Sequence, residues 1–131
     1  MKKRGVMQHR LAEVIAAMGH TDSLVIGDAG LPVPIGVERI DLAVRQDLPR
    51  TMDVVAVVAE ELQVEAILIA EEAATRNPAF VEAIRAQFPG VPITMVPHTE
   101  FKARSSASRA VIRTGECSPY ANVLLISGVI F

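Results

Sequence analysis

The chain has 131 residues, of which half are apolar and only 4% aromatic, and its formal net charge is −2. The length predicts one domain, residues 1–131, with a core built from aliphatic side chains. The slight negative charge argues against nucleic-acid binding, which needs a basic surface, and no apolar run is long enough to cross a membrane. Because Cys117 is the only cysteine, no internal disulfide can form, and we expect a soluble protein of the cytoplasm.

Apolar periodicity predicts a helix at the start of the chain. Its apolar face repeats at helical spacing through Met7, Leu11, Val14, Ile15 and Met18. Gly19 is the expected C-terminal cap. The apolar run Leu24–Ile26 predicts a buried strand over 23–27, and the alternation from Ile40 to Val44 predicts a second strand with one polar face.

The second half of the chain continues the alternation of helices and strands. Helices are expected over 52–62, 77–88 and 99–107, and strands over 64–70, 91–96, 110–112 and 123–127. Asn77-Pro78 is a strong helix start, with the asparagine as N-cap and the proline in the first turn, and Thr99 is the expected cap of the last helix. This alternation predicts an α/β fold, a three-layer α/β/α domain with a mainly parallel sheet.

Two of the candidate functional groups follow predicted strands. Asp28 lies between Gly27 and Gly30 at the carboxyl end of the first strand, a position where α/β proteins gather ligands, although aspartate also favours turns for its own backbone reasons. His98 follows a strand and a proline, while His20 lies between a helix and a strand. Each histidine could instead be a capping or surface residue.

Other chemistries find less support. Cys117 lacks a nearby base or helix N-terminus that would activate a thiol. Glu71-Glu72 has no further ligand at metal-binding spacing, so we expect the solvated start of a loop and no metal. No glycine motif for a phosphate is present, which argues against a nucleotide cofactor. What remains is acid–base chemistry, with Asp28, Tyr120 and Asn122 as partners for sugar hydroxyls.

Motifs along the whole chain now point to a family. They include Gly19-His20-Thr21-Asp22, Gly27-Asp28-Ala29-Gly30-Leu31-Pro32, Arg113-Thr114-Gly115-Glu116 and Pro119-Tyr120-Ala121-Asn122. With these motifs in this order, the chain resembles the D-ribose pyranases, or ribose mutarotases, whose nearest relatives are the fucose mutarotases.

The resemblance implies an enzyme without a cofactor that interconverts the pyranose and furanose forms of D-ribose, and its anomers. It makes His20 the proton donor and Asp28 and His98 sugar-binding residues, with Tyr120, Ala121 and Asn122 completing the site. The general base is either His98 or Asp28. The resemblance also implies a cytoplasmic homo-oligomer, a decamer of two stacked pentamer rings.

The spacing of His20 and Asp28 raises a geometric difficulty, because they leave opposite ends of one predicted strand. Either the backbone folds sharply between Gly19 and Ser23, or the site is shared between subunits; we favour the shared site. Three alternative functions stay open: mutarotation of another sugar such as fucose, a non-catalytic ribose-binding or regulatory protein of a sugar transport system, and a Cys117 hydrolase.

Overall fold

A computed structural model describes all residues, 1–131, and places them around one six-stranded sheet. The helices are α1 (His9–Ala17), α2 (Thr51–Ala59), α3 (Ala73–Arg76), α4 (Pro78–Gln87) and α5 (His98–Arg104), which a 3-10 turn over Ser105–Ala107 extends. The strands are β1 (Ser23–Gly27), β2 (Glu38–Asp41), β3 (Val64–Ala70), β4 (Ile93–Val96), β5 (Ala110–Arg113) and β6 (Val123–Ser127). None of the helices has the length and apolar character that crossing a membrane requires.

The strands run in the order β2-β5-β1-β6-β3-β4. Three neighbouring pairs are parallel, and only β6 runs antiparallel to both of its neighbours, so the sheet is mainly parallel as predicted. The last residues of the five parallel strands therefore share one edge with the start of β6, which we call the carboxyl edge. Their first residues share the other edge with the end of β6, which we call the amino edge.

Helices cover both faces of the sheet, unequally. On one face Leu24 and Ile26 of β1 belong to a large apolar core together with buried residues of α1, α2 and α4. On the other face Val25 packs in a smaller core with the fully buried Phe101 of α5. The predicted three-layer α/β/α architecture is confirmed. β1 lies at its centre, and the side chains of Leu24, Val25 and Ile26 are all fully buried.

The second strand is shorter than predicted, because β2 ends at Asp41 rather than continuing to Val44. The carboxylate of Asp41 accepts the N–H of Ala43 at 3.0 Å and pairs with Arg113 at 2.7 Å. An aspartate that bonds the backbone two residues later forms a turn, which carries the chain out of the sheet. The polar residue of the expected alternation therefore ends the strand.

Three smaller features also differ from expectation. Helix α1 is capped by Met18, and the left-handed residue of the turn that follows is Thr21 (φ 68°), not Gly19. Helix α5 begins at His98 after Pro97, so Thr99 lies inside the helix rather than capping it. The four-residue helix α3 has no sequence signal of its own, because it contains too few residues to show a period.

Candidate active site

Asp28 and Asn122 form a reciprocal pair at the carboxyl edge, where β1 ends and β6 begins. The Asp28 N–H donates to Asn122 Oδ1 at 2.8 Å, and Asn122 Nδ2 donates back to Asp28 Oδ2 at 2.9 Å. The second carboxylate oxygen, Oδ1, accepts the N–H of Gly30 at 3.0 Å. Asn122 is only 1% exposed, so a buried amide fixes the orientation of a partly exposed carboxylate.

The close approach of this pair depends on Gly27, the last residue of β1. A Cβ at that position would lie 2.9 Å from Asn122 Oδ1, and it would also press on the side chain of Leu31. Only glycine leaves room for the amide. The glycine before Asp28 therefore contributes to the geometry of the site itself, beyond its use as a turn residue.

His98 begins α5 at the same edge and is held by its backbone and its ring. Its N–H donates to both carboxylate oxygens of Glu72, at 3.1 and 3.0 Å. The ring stacks against Phe101 (centroids 6.1 Å apart) and meets the edge of Tyr120 (5.2 Å apart, planes at 85°). Because Nδ1 is buried with no hydrogen-bond partner, Nε2 is the ring nitrogen left for a ligand.

The carboxyl group of Glu72 stays ionised beneath His98. Hydrogen bonds from backbone N–H groups, first its own and then that of His98, hold the pKa of Glu72 below its ordinary value, against the opposing effect of burial. The positive charge of Lys102 acts in the same direction. The expectation that Glu71-Glu72 is only the solvated start of a loop is wrong for Glu72, which anchors the first turn of α5.

The segment Tyr120–Asn122 links these two groups. Tyr120 has a left-handed backbone (φ 54°), which turns the chain into β6. Ala121 is 1% exposed, and its carbonyl accepts the hydroxyl of Thr51 at 3.0 Å. Tyr120 contacts His98 while Asn122 binds Asp28, so all five expected sugar-binding residues lie in one cluster at the carboxyl edge.

His20 lies elsewhere, at the amino edge. The turn that carries it is anchored by Asp22, whose carboxylate accepts the Gly19 N–H at 2.8 Å and pairs with Arg109 at 2.9 Å. Arg109 first, and the Gly19 N–H second, hold the pKa of the Asp22 carboxyl below its ordinary value. The imidazole itself is half exposed, and its Nε2 lies 2.9 Å from Oε2 of Glu65.

The backbone does fold sharply between Gly19 and Ser23, yet this does not bring His20 to the cluster. Its turn bonds to the end of β6, where the Thr21 N–H donates to the Ser127 carbonyl at 2.8 Å. The five residues of β1 then separate it from Asp28 by about 16 Å, the length of a strand of that size. A pentose is too small to contact both groups in one chain.

The hollows of the single chain do not enclose the cluster. One of about 290 Å³ opens beside Asp28 and is lined on its other side by residues 116–119. A larger one of about 580 Å³ lies between Arg50 and Asn77 and contains none of the clustered residues. Sugar sites usually bury most of their ligand. In the single chain the carboxyl-edge cluster is therefore open rather than enclosed.

Glu65 and Glu72, the carboxylates that hold His20 and His98, were not identified as site residues from the sequence. Glu65 had one signal, since it is a charged residue within the otherwise apolar run 64–70. Glu72 had none, because its partner lies 26 residues later in the chain. Contacts of that kind become visible only when the strands are placed side by side.

Comparisons with known proteins identify the family of the chain and the fold that it shares. The model of the RbsD / FucU transport protein family matches residues 1–130. A D-ribose pyranase of Symbiobacterium thermophilum is 53% identical over the whole of both chains, and Bacillus subtilis RbsD, solved in complex with D-ribose, is 45% identical with a TM-score of 0.97 over the whole of both chains. A fucose mutarotase from Streptococcus pneumoniae shares the fold (TM-score 0.82) at 20% identity, with full coverage of both chains. The chain belongs to the RbsD / FucU transport protein family.

Proposed function

We propose that this chain is a D-ribose pyranase, an isomerase that interconverts the pyranose and furanose forms of D-ribose and its anomers. The observation that carries the proposal is the intact cluster of Asp28, His98 and Asn122 in a chain 53% identical to a D-ribose pyranase over its full length. The likeness to a fucose mutarotase, at 20% identity, concerns the fold alone and does not favour fucose.

Ring opening and ring closure each need only two proton transfers. When the pyranose opens, the anomeric hydroxyl loses a proton to a base while the ring oxygen gains one from an acid, and the C1–O bond to the ring oxygen breaks. In the open aldehyde the C4 hydroxyl then attacks C1; it returns a proton to the former acid, and the aldehyde oxygen takes one from the former base. The protons balance without a cofactor, and positioned acid and base groups contribute about 10²- to 10⁴-fold.

The structure supports different roles for the two candidate bases. Both oxygens of Asp28 already accept one N–H each, so its remaining lone pairs are held in fixed directions to receive sugar hydroxyls. His98 presents a single open nitrogen, Nε2, on a ring held by two aromatic neighbours. We therefore assign the base to His98 and the binding of hydroxyls to Asp28, with His20 as the acid.

The separation of His20 from the cluster supports a site shared between two copies of the chain. The half-site with His20 lies at the amino edge, and the half-site with Asp28 lies at the carboxyl edge. A contact between two different patches repeats head to tail, and it produces a closed ring when the rotation closes. Such a ring fits the decamer of two pentamers that the family resemblance implies, and we propose that this assembly works in the cytoplasm.

Exposed apolar side chains support self-association. Val129, Ile130 and Phe131 follow β6 at the amino edge, and Phe131 is fully exposed in the single chain. Isolated apolar residues are common on protein surfaces, whereas contiguous apolar patches mark interaction surfaces. They lie beside the half-site that needs a neighbour.

Saturation-transfer NMR tests the proposed reaction. Irradiating the anomeric proton of ribopyranose should reduce the furanose signal faster when the protein is present, and His20→Ala should abolish this gain while the variant still binds ribose. His9→Ala is the matched control, because His9 is an exposed imidazole on α1 outside the site. A wild-type chain that binds ribose without accelerating exchange would instead be a binding or regulatory protein. Faster exchange of fucose than of ribose would overturn the assignment of ribose as the substrate.

A further inference from the structure

We infer that Glu65 is the positioning residue of the catalytic imidazole, and that it directs Nδ1 of His20, rather than Nε2, at the sugar. This inference rests on the proposed function. The contact that carries it joins Oε2 of Glu65 to Nε2 of His20 at 2.9 Å. An ionised carboxylate only accepts hydrogen bonds, so Nε2 carries the hydrogen of this contact. Nδ1 is then the nitrogen that gives a proton to the ring oxygen and takes one back when the ring closes.

A β-bulge places Glu65 at this position. Val64 lies opposite Ser127 and Ala66 lies opposite Ile126, so Glu65 is one extra residue in β3. Bulges re-aim a side chain, and they break the alternation between the two faces of a sheet. The break is visible in the core. Val64 and Ile67 are three residues apart, so regular alternation would put them on opposite faces of the sheet, yet both belong to the same apolar cluster.

A glycine on the neighbouring segment leaves the space that Glu65 occupies. Gly128 follows β6, and a Cβ at that position would lie 2.8 Å from the Cβ of Glu65. Any other residue at 128 would push the carboxylate away from His20. The bulge in β3 and the glycine after β6 therefore both position the side chain of Glu65, although these two segments are neighbours only in the fold.

A role in folding stability explains this arrangement less well. The side chains of His20 and Glu65 are 55% and 39% exposed, and exposed ion pairs contribute little to stability. The turn that carries His20 already has its own anchor in the pairing of Asp22 with Arg109. The carboxylate of Asp22 thus fixes the backbone of the turn, and the carboxylate of Glu65 fixes the ring of His20.

Glu65→Ala and Glu65→Gln test the inference, with Glu82→Ala as the control, since Glu82 is an exposed carboxylate on α4 that only approaches Arg85 at 3.6 Å. Without the carboxylate the ring is free to turn, so Glu65→Ala should lower kcat for ribose exchange about 10- to 100-fold. KM should stay unchanged, because the Asp28 cluster lies at the other edge. Glutamine keeps an accepting oxygen, so Glu65→Gln should lose less.

The nitrogen resonances of the His20 ring give a readout that needs no catalysis. In the wild-type chain, without sugar, the neutral ring should show the form with the hydrogen on Nε2, and Glu65→Gln should keep it. Glu65→Ala should show a mixture of both forms.

An unchanged kcat or unchanged ring resonances in Glu65→Ala would overturn the inference. If that variant does not fold, wild-type resonances with the hydrogen on Nδ1 would overturn it. A wild-type chain without ribose exchange would refute the proposed function instead, and the ring resonances would still report on Glu65.

Discussion

Asn122→Ala removes both hydrogen bonds that join Asn122 to Asp28. The Asp28 N–H, which donates to the amide at 2.8 Å, is left without its acceptor at the end of a buried strand. Leaving such a donor unpaired costs about 1–3 kcal/mol in the free energy of unfolding. The carboxylate also loses the Nδ2 donor at 2.9 Å, so only the Gly30 N–H still restrains it.

The effect on activity should appear mainly in KM. In the proposed site Asp28 receives sugar hydroxyls, and a carboxylate that can rotate should bind them less well. The loss of one oriented hydrogen bond, about 0.5–1.5 kcal/mol, corresponds to a KM increase of about 2- to 13-fold. The change in kcat should be smaller, because His20 and His98 make no hydrogen bond to Asn122.

Urea unfolding and saturation-transfer exchange on the same preparations measure both effects. Gln8→Ala is the matched control: it removes another amide, which caps α1 by accepting the N–H of Leu11 at 2.6 Å. That variant should lose a similar stability, about 1 kcal/mol, and keep the wild-type KM. The reasoning is refuted if Asn122→Ala retains the wild-type KM, or if Gln8→Ala raises KM as much.

Two further substitutions address the turn at the amino edge and the cysteine. Asp22→Asn should destabilise the chain at neutral pH, because the pKa of Asp22 is lowered in the folded chain, first by Arg109. The stability that this lowered pKa contributes is fully present above about pH 4 and disappears as the pH falls through the folded-state pKa. Urea unfolding of both chains from neutral to acidic pH checks this, and a difference that persists at acidic pH would contradict it. Cys117→Ala should keep full exchange activity, because the one hydrogen bond of the thiol goes to the Gly115 carbonyl at 3.5 Å and to no residue of the proposed site. A large loss of activity would favour the hydrolase alternative.

Local sequence signals predicted most of the elements. The apolar run Val64–Ala70 is β3 to the residue, and Asn77 caps α4 through its side chain, with Pro78 in the first turn, as expected. These features depend on side chains that are neighbours along the chain. The antiparallel insertion of β6 between β1 and β3 was not predictable, since strand order depends on packing between distant segments.

The residues of the candidate site also divide into those with a local sequence signal and those without one. Asp28 at a strand end follows from its flanking glycines, and Asn122 is a candidate by its amide chemistry. Nothing local predicts that the two pair, because they lie 94 residues apart in the chain. The bulge at Glu65 has no local signature, because it consists of a register shift against β6. The strand between His20 and Asp28 did allow one long-range prediction, that a single chain holds the two groups apart.

Subunit mixing tests the shared site most directly. Inactive His20→Ala and inactive Asp28→Ala chains are mixed in equal amounts under conditions that exchange subunits, and ribose exchange is measured. With random assembly, about one quarter of the sites combine an intact His20 with an intact Asp28 from its neighbour, so about one quarter of wild-type activity should return. The matched control mixes Asp28→Ala with Asn122→Ala, which damage the same half-site, so the mixture should show only the mean of the two activities measured separately. No recovery in the first mixture, with exchange of subunits demonstrated, would contradict the shared site.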